Sequence, residues 1–295
     1  MATIYTEKDR NIRRTWMLMT VFLVIVIAIG YAVSWFFQSP ALLYVAVIFA
    51  LVMNFYSYWF SDKLVLKMTK ARPADLVQDR ELINIVENLS ITAGLPMPKV
   101  YVVDDPAPNA FATGRNPEHA VVAATTGLLA ILDRTELEGV MAHELAHVGN
   151  RDMLVMSVAV VLAGFVAILA DITSRSMVFG GGDRDRSPIF LVLGIVGIIL
   201  APLAAQLMQL AVSRRREYLA DASGALLTRY PEGLASALEK ISEFNQPMRT
   251  ASNATAHLFI ADPFALAGRS KKSIANLFQS HPPVTDRIAR LRGGQ

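Results

Sequence analysis

The stretch His143-Glu144-Leu145-Ala146-His147 is the most informative part of this 295-residue chain, because it spells H-E-x-x-H. Two histidines four residues apart on a helix lie on one face and can bind one metal ion. The glutamate beside the first histidine can act as a general base toward a water held by that metal. The pattern therefore predicts a helix that carries a zinc site for peptide hydrolysis.

A capping pattern supports a helix here independently of the histidines. Thr135 is followed three residues later by Glu138, as in the capping box, and we predict that the helix begins at Thr135. Upstream, the spacing of apolar residues predicts an amphipathic helix over Arg80 to Thr92 that ends at Gly94. The same region contains two predicted strands, at residues 100–103 and 120–125. A mixed α/β domain is expected around the motif.

The composition indicates a membrane protein, since 53% of the residues are hydrophobic and only 18% are charged. Thr15 to Ser61 contains no Asp, Glu, Lys or Arg, and Ser39-Pro40 divides it into two halves, each long enough to cross a bilayer. We predict a transmembrane hairpin at residues 15–60. A cleaved signal peptide with Ala32-Val33-Ser34 as its cleavage site is the alternative, but the second apolar segment that follows at once favours the hairpin.

Two further uncharged apolar runs, Met153 to Ala170 and Ile189 to Val212, predict a second hairpin at residues 153–212. Glycine, proline and glutamine interrupt the last run, so a buried helix of the enzyme domain is the alternative there. The two hairpins would then separate two halves of a catalytic domain, residues 61–152 and 213–295. In the second half, Pro231 and Pro283 are each predicted to begin an amphipathic helix. The expected fold class is a multi-pass α-helical membrane protein with a mixed α+β zincin-like metallopeptidase domain.

The basic residues lie beside the apolar runs, which favours contact with a lipid bilayer and argues against nucleic-acid binding. Basic residues precede the first predicted span and follow the second. The positive-inside rule therefore places the N-terminus, the C-terminus and the catalytic domain in the cytoplasm. The residues concerned are Lys8, Arg10, Arg13, Arg14, Lys63, Lys67, Lys70, Arg72 and Arg214 to Arg216.

A catalytic zinc ion keeps three protein ligands, so the motif needs one more. The chain has no cysteine, and the third ligand must offer nitrogen or oxygen. Glu217 is the best candidate, because it follows an apolar run and has a second carboxylate, Asp221, on the same helical face. Asp221 is placed to accept the outer N–H of a zinc-bound histidine. An ion pair between Glu217 and a neighbouring arginine is the alternative.

The combined motifs resemble those of the HtpX heat-shock membrane proteases, a branch of the gluzincin metallopeptidases that also includes the CAAX prenyl proteases. The resemblance covers nearly the whole chain and departs from the family pattern at no motif position. Beyond the histidines and Glu217-x-x-x-Asp221, it rests on Pro108 to Gly114, Asn150-Arg151-Asp152, His281-Pro282 and Arg287-Ile288.

The resemblance implies a role for each matching residue. It implies one Zn²⁺ per chain, held by His143, His147 and Glu217, with Glu144 as the general base. It also implies that His281 donates a hydrogen bond to the oxyanion of the reaction. An edge strand along which an extended substrate would pair is implied for Asn109, Ala110, Phe111 and Ala112.

The resemblance further implies an endopeptidase that degrades misfolded or damaged membrane proteins under stress, at the cytoplasmic face of a bacterial inner membrane. Other quality-control proteases of the membrane would be its partners. One alternative is a processing protease for a defined peptide, as in the CAAX proteases. Another is a membrane scaffold or chaperone with a structural zinc. Glu144 argues against the scaffold, because a structural zinc site has no use for a general base.

Overall fold

The structure is a computed structural model that describes residues 4–179, 213–252, 255–264 and 282–293. Elements are numbered in chain order over these residues. The helices are α1 (Ile4–Phe36), α2 (Pro40–Trp59), α3 (Ser61–Thr69), α4 (Arg80–Ala93), α5 (Thr126–Ile131), α6 (Arg134–Asn150), α7 (Asp152–Phe179), α8 (Arg214–Thr228), α9 (Pro231–Glu243) and α10 (Val284–Leu291). The strands are β1 (Arg72–Pro73), β2 (Lys99–Val103), β3 (Ala110–Thr113) and β4 (Val121–Thr125).

Helices α1 and α2 form a hairpin at the predicted position. Pro40 occupies the first turn of α2, where its missing N–H costs nothing, and Gln38 takes a positive φ of 52° in the turn. Asp9–Phe36 and Pro40–Trp59 are both long and apolar enough to cross a membrane. Large apolar side chains along both helices are exposed, among them Trp35 and Tyr44. Such side chains suit a lipid environment.

A four-stranded mixed sheet lies at the centre of the remaining described residues, in the order β1-β2-β4-β3. Strands β2 and β4 are parallel, while β1 and β3 pair antiparallel at the two edges. Alternate side chains of β3 enter different cores. Ala110 and Ala112 pack with α4 and α6, whereas Phe111 packs with α1 and α7. The strands predicted at 100–103 and 120–125 are confirmed.

Helix α6 is capped two residues earlier than predicted. Asp133 is the N-cap, its Oδ1 accepts the backbone N–H of Glu136 at 3.0 Å, and Glu136 Oε2 accepts the N–H of Asp133 at 2.8 Å. The prediction of a box from Thr135 to Glu138 was therefore wrong. Glu138 instead pairs with Arg134 at 3.1 Å on the helix surface.

Helices α6 and α7 meet at a sharp bend. Arg151 has a left-handed φ of 57°, and the two helix axes differ in direction by 85°. Most side chains from Leu154 to Val166 are buried in a core that includes residues of α1. The third apolar run thus begins as a core-facing helix. Residues 180–212, which hold the rest of the predicted second hairpin, lie outside the described residues.

The helices predicted to follow Pro231 and Pro283 are present as α9 and α10, and α4 ends at Gly94 with a left-handed φ of 64° as predicted. Helix α6 packs against α4, α8 and α9. It is therefore enclosed on several sides, which explains why both motif histidines are buried.

Candidate metal centre

The two motif histidines meet Glu217 at the contact between α6 and α8. The Nε2 atoms of His143 and His147 are 3.2 Å apart. Glu217 Oε2 lies 3.9 Å from His143 Nε2, and Glu217 Oε1 lies 3.6 Å from His147 Nε2. One ligand atom of each residue lies within 4.8 Å of the others, and all three residues are buried. The structure thus brings together the three residues that the sequence analysis proposed as ligands.

Each histidine faces a carboxylate with its other ring nitrogen. His143 Nδ1 lies 3.0 Å from Asp221 Oδ1, and His147 Nδ1 lies 3.2 Å from Asp152 Oδ2. The first contact is as short as a hydrogen bond, although its geometry falls outside the usual limits for one. Carboxylates at both Nδ1 atoms favour the tautomers that leave Nε2 free to bind a metal. Asp221 is where the sequence predicted it, whereas Asp152 was not predicted in this position.

Arg287 holds the Asp221 carboxylate from the far side. Its Nε and Nη2 atoms donate to the two carboxylate oxygens at 2.9 and 2.7 Å, and Nη1 donates to the carbonyl of Ile260 at 3.0 Å. The side chain is only 1% exposed. Arg287 belongs to one of the motifs that resemble the family, but its role could not be predicted, because the pairing with Asp221 spans 66 residues.

Asp152 is held in a similar way. Arg216 Nε lies 3.5 Å from Asp152 Oδ1, and Asn11 of α1 donates to the same oxygen at 2.6 Å. Arg216 is 3% exposed. Its expected position beside lipid headgroups is therefore wrong, because this guanidinium group points inward to a buried carboxylate.

Glu144 lies next to the proposed ligands, and its side chain is buried. Burial raises its pKa to about 7, and the nearby Glu217 carboxylate adds to this effect. His147, Arg287 and the backbone N–H of Ala112 act in the opposite direction. A carboxylate whose pKa lies near neutral pH can both accept and return a proton.

The surroundings shift the pKa values of the two histidines in opposite directions. Burial lowers the pKa of His143. Burial also lowers the pKa of His147, but Asp152, Glu217 and Glu144 outweigh it and raise the value to about 9. Carboxylates therefore dominate the electrostatic surroundings of His147. Two imidazole nitrogens and one carboxylate form a ligand set that suits a catalytic zinc ion.

Strand β3 lies at the sheet edge as the substrate-strand prediction requires, but the chain itself pairs with part of that edge. The carbonyl of Ala110 accepts the N–H of Ile260 at 2.9 Å. The Asn109 amide group donates to the Ala261 carbonyl at 3.0 Å and accepts the Ala261 N–H at 3.2 Å. The backbone of Ala112, one of the four predicted residues, forms a hydrogen bond with Glu144. A substrate that paired at Asn109 or Ala110 would have to displace this segment.

Gly224 permits the close contact between α8 and α6. A Cβ atom at this position would lie 2.9 Å from the backbone nitrogen of His143.

His281, the predicted oxyanion donor, lies outside the described residues.

Comparison with known proteins agrees with this geometry. The model of peptidase family M48 matches residues 77–295. The chain belongs to peptidase family M48. It is 44% identical to a protease HtpX homolog of Caldanaerobacter subterraneus over 98% of this chain and 97% of that protein. It is 51% identical to one of Syntrophobacter fumaroxidans over 95% and 98%. It is 47% identical to one of Pyrococcus furiosus over 95% and 94%.

The M48 assignment makes this chain a membrane-bound metalloprotease and confirms the resemblance found in its sequence. The M48 family uses zinc, in agreement with the donor group formed by His143, His147 and Glu217. The crystal structure of S. mikatae Ste24p has a similar fold, with a TM-score of 0.50 and 18% identity. The match covers 97% of this chain and 67% of that protein.

Proposed function

We propose that this chain is a zinc-dependent endopeptidase that degrades misfolded or damaged membrane proteins at the cytoplasmic face of the membrane. The observation that carries the proposal is the buried donor group of His143, His147 and Glu217, with Glu144 beside it. These residues fit a catalytic zinc better than a structural one, because they provide three ligands and leave a coordination position open.

Glu144 is the proposed general base. A zinc ion bound by the three ligands supplies Lewis acidity toward water and the peptide carbonyl. The buried Glu144 carboxylate would take the proton of the attacking water and pass it to the leaving amine. Asp221 and Asp152 hold the histidine rings in position. His281 remains the proposed oxyanion donor on sequence grounds.

The membrane setting supports the proposed substrate class. Asn11 of α1 contacts Asp152, so the membrane hairpin and the metal centre belong to one folded unit. Basic residues on the flanks of α1 and α2 support a cytoplasmic active site. Unfolded cytoplasmic segments of membrane proteins could reach an active site that lies beside the membrane on its cytoplasmic side. The second hairpin, over residues 153–212, and the two catalytic halves remain part of the proposal.

The proposal is tested by incubating an unfolded membrane protein with the purified full chain and with its Glu144→Gln variant. We expect the variant to retain zinc and to lose cleavage, since only the general base is removed. Glu138→Gln on the same helix is the control and should cleave normally, because Glu138 contacts Arg134 on the surface. Full cleavage by Glu144→Gln would refute the mechanism.

The fragment pattern separates degradation from processing. Cleavage at many sites is expected of a quality-control protease, whereas one clean cut in a defined peptide would favour a processing enzyme. Loss of cleavage on treatment with a chelator is expected, and retention of cleavage would exclude zinc catalysis.

The orientation is tested with single cysteines, since the chain has none of its own. Gln38→Cys in the hairpin turn should react with an impermeant reagent from outside the cell. Glu243→Cys at the end of α9 should react only after the membrane is opened. The opposite result would place the catalytic domain outside the cytoplasm.

A further inference from the structure

A network of buried polar groups connects the membrane helix α1 to the proposed ligand His147. Asn11 lies in α1 and is fully buried. Its Nδ2 atom donates to Asp152 Oδ1 at 2.6 Å and to the carbonyl of Asn150 at 3.0 Å. Both acceptors flank the bend between α6 and α7. The N-terminal helix therefore contacts the segment that follows the zinc motif.

The other end of the Asn11 side chain is also engaged. Arg216 Nη1 donates to Asn11 Oδ1 at 3.2 Å, and Arg216 directly precedes Glu217 in α8. Asn11 thus joins the bend between α6 and α7 to the start of the helix that carries Glu217. Its amide acts as donor toward one and as acceptor toward the other, which an apolar residue could not do.

The Asp152 carboxylate transmits this contact to the metal centre. One oxygen accepts from Asn11, and the other faces His147 Nδ1 at 3.2 Å. Asp152 is only 1% exposed, so water does not compensate for a lost donor. The orientation of the whole carboxylate depends on what binds each oxygen. Without Asn11, one fixed contact that aims Asp152 at His147 is missing.

We propose that Asn11 is a positioning residue for metal binding, so that α1 contributes to the zinc site in addition to anchoring the chain. The inference rests on the proposed function only for the identity of the ligands. Each histidine is supported by a carboxylate and the groups that bind that carboxylate, which we call its arm. The arm of His143 contains no residue of α1, since Asp221 is held by Arg287 from the C-terminal part of the chain. Metal affinity should therefore depend on a side chain in the membrane helix.

The decisive variant is Asn11→Asp, which preserves the size of the side chain and the acceptor for Arg216 but places a carboxylate against Asp152. The test measures zinc affinity of the full-length protein in detergent by competition with a chelator. It also records the visible absorption spectrum of the cobalt-substituted protein, which reports ligand geometry. We expect Asn11→Asp to weaken zinc binding about tenfold, at the lower end of the effect of outer hydrogen-bond partners on metal sites.

The exchanged pair Asn11→Asp with Asp152→Asn provides the rescue. In this pair, the amide introduced at position 152 can donate to the carboxylate introduced at position 11, while the amide oxygen still accepts from His147. We expect the pair to bind zinc more tightly than Asn11→Asp alone and to move the cobalt spectrum toward that of the wild type. Recovery stays partial, because the carbonyl of Asn150 still lacks the donor from position 11. A simple packing role for Asn11 predicts no such rescue. Failure of the exchanged pair to improve on either single variant would overturn the proposal.

Alanine variants cover the case in which Asn11→Asp does not fold. Asn11→Ala should weaken zinc binding severalfold, whereas Asn54→Ala, at a buried asparagine in the same hairpin, should leave it unchanged. Equal zinc affinity in these two variants would refute the role of Asn11. The proposed function fails separately, since it requires that Glu217→Ala lose zinc and Glu144→Gln lose cleavage whatever Asn11 does.

Discussion

The contact at Gly224 predicts that a single methyl group between α8 and α6 will disturb the metal centre. A Cβ atom there would lie 2.9 Å from the His143 nitrogen and 3.2 Å from the Ala142 carbonyl carbon. Both neighbours are backbone atoms of a packed helix, so neither can rotate away. Ordinary contacts begin at 3.4 Å, and α8 must therefore retreat by about 0.5 Å in Gly224→Ala.

The displacement matters because Glu217 lies two turns earlier on the same helix. Zinc–oxygen distances in proteins are about 2.0–2.2 Å and tolerate deviations of only about 0.2 Å. A shift of about 0.5 Å is thus expected to weaken zinc binding at least about tenfold. Stability should fall by about 1 kcal/mol, because about 1–3 kcal/mol of overpacking is partly offset by replacing a helical glycine.

The measurement is zinc affinity by chelator competition, together with thermal unfolding of the metal-free protein. Gly149→Ala is the matched control on α6 itself. A Cβ atom at Gly149 would meet only a Leu95 side-chain carbon, at 3.8 Å. This control should keep wild-type affinity and gain slightly in stability. Zinc affinity within about twofold of wild type in folded Gly224→Ala would refute the reasoning.

Two further predictions concern ion pairs of buried carboxylates. Arg287→Leu leaves the Asp221 carboxylate buried without its partner. The free energy of unfolding should fall by about 3–5 kcal/mol, and the melting temperature by roughly 6–20 °C. Arg287→Lys keeps a positive charge there, so a smaller drop in melting temperature for Arg287→Leu than for Arg287→Lys would contradict the prediction. At Glu136, burial raises the pKa, but hydrogen bonds that include Lys240 Nζ at 2.7 Å lower it overall. The ionised Glu136 carboxylate therefore contributes to folding stability at pH values above 4.5, its ordinary pKa. This contribution disappears as the pH falls through the lower pKa that Glu136 has in the folded protein. Lys240→Met should therefore melt below wild type at pH 7, and this difference should shrink on acidification below 4.5.

Local sequence patterns predicted the regular elements well. The amphipathic spacing gave the position of α4, and Gly94 marked its end, because glycine takes a left-handed φ at no steric cost. Pro231 and Pro283 marked the starts of α9 and α10. These signals depend on the residues themselves and their close neighbours, so one sequence contains them.

The cap of α6 shows why local patterns can mislead. Two capping boxes overlap here, one from Asp133 to Glu136 and one from Thr135 to Glu138. The structure uses the first, and Glu136 is also bound by Ser236 Oγ at 2.6 Å from α9. That partner is distant in sequence, so the local pattern could not distinguish the two boxes.

The supports of the metal centre were harder to predict than its ligands. The motif spacing pointed to His143 and His147, and a nearby helical pair of carboxylates pointed to Glu217. Asp152 was noted only as part of a tripeptide, because its role depends on the bend at Arg151, where the φ of a non-glycine residue is 57°. Nothing in the local sequence of Asn11 signals a partner 141 residues away.

The two histidine arms are built alike but draw on different parts of the chain. In both, a buried carboxylate faces Nδ1 and is itself held by an arginine, Asp221 by Arg287 and Asp152 by Arg216. Among the residues that the structure describes, only the His147 arm also takes a donor from the membrane helix, through Asn11. A catalytic domain separated from α1 would therefore keep three proposed ligands and one complete arm, yet lose a support of the other. We expect such a fragment to bind zinc more weakly than the full chain even where it folds, because attachment to the membrane and metal binding depend on the same helix.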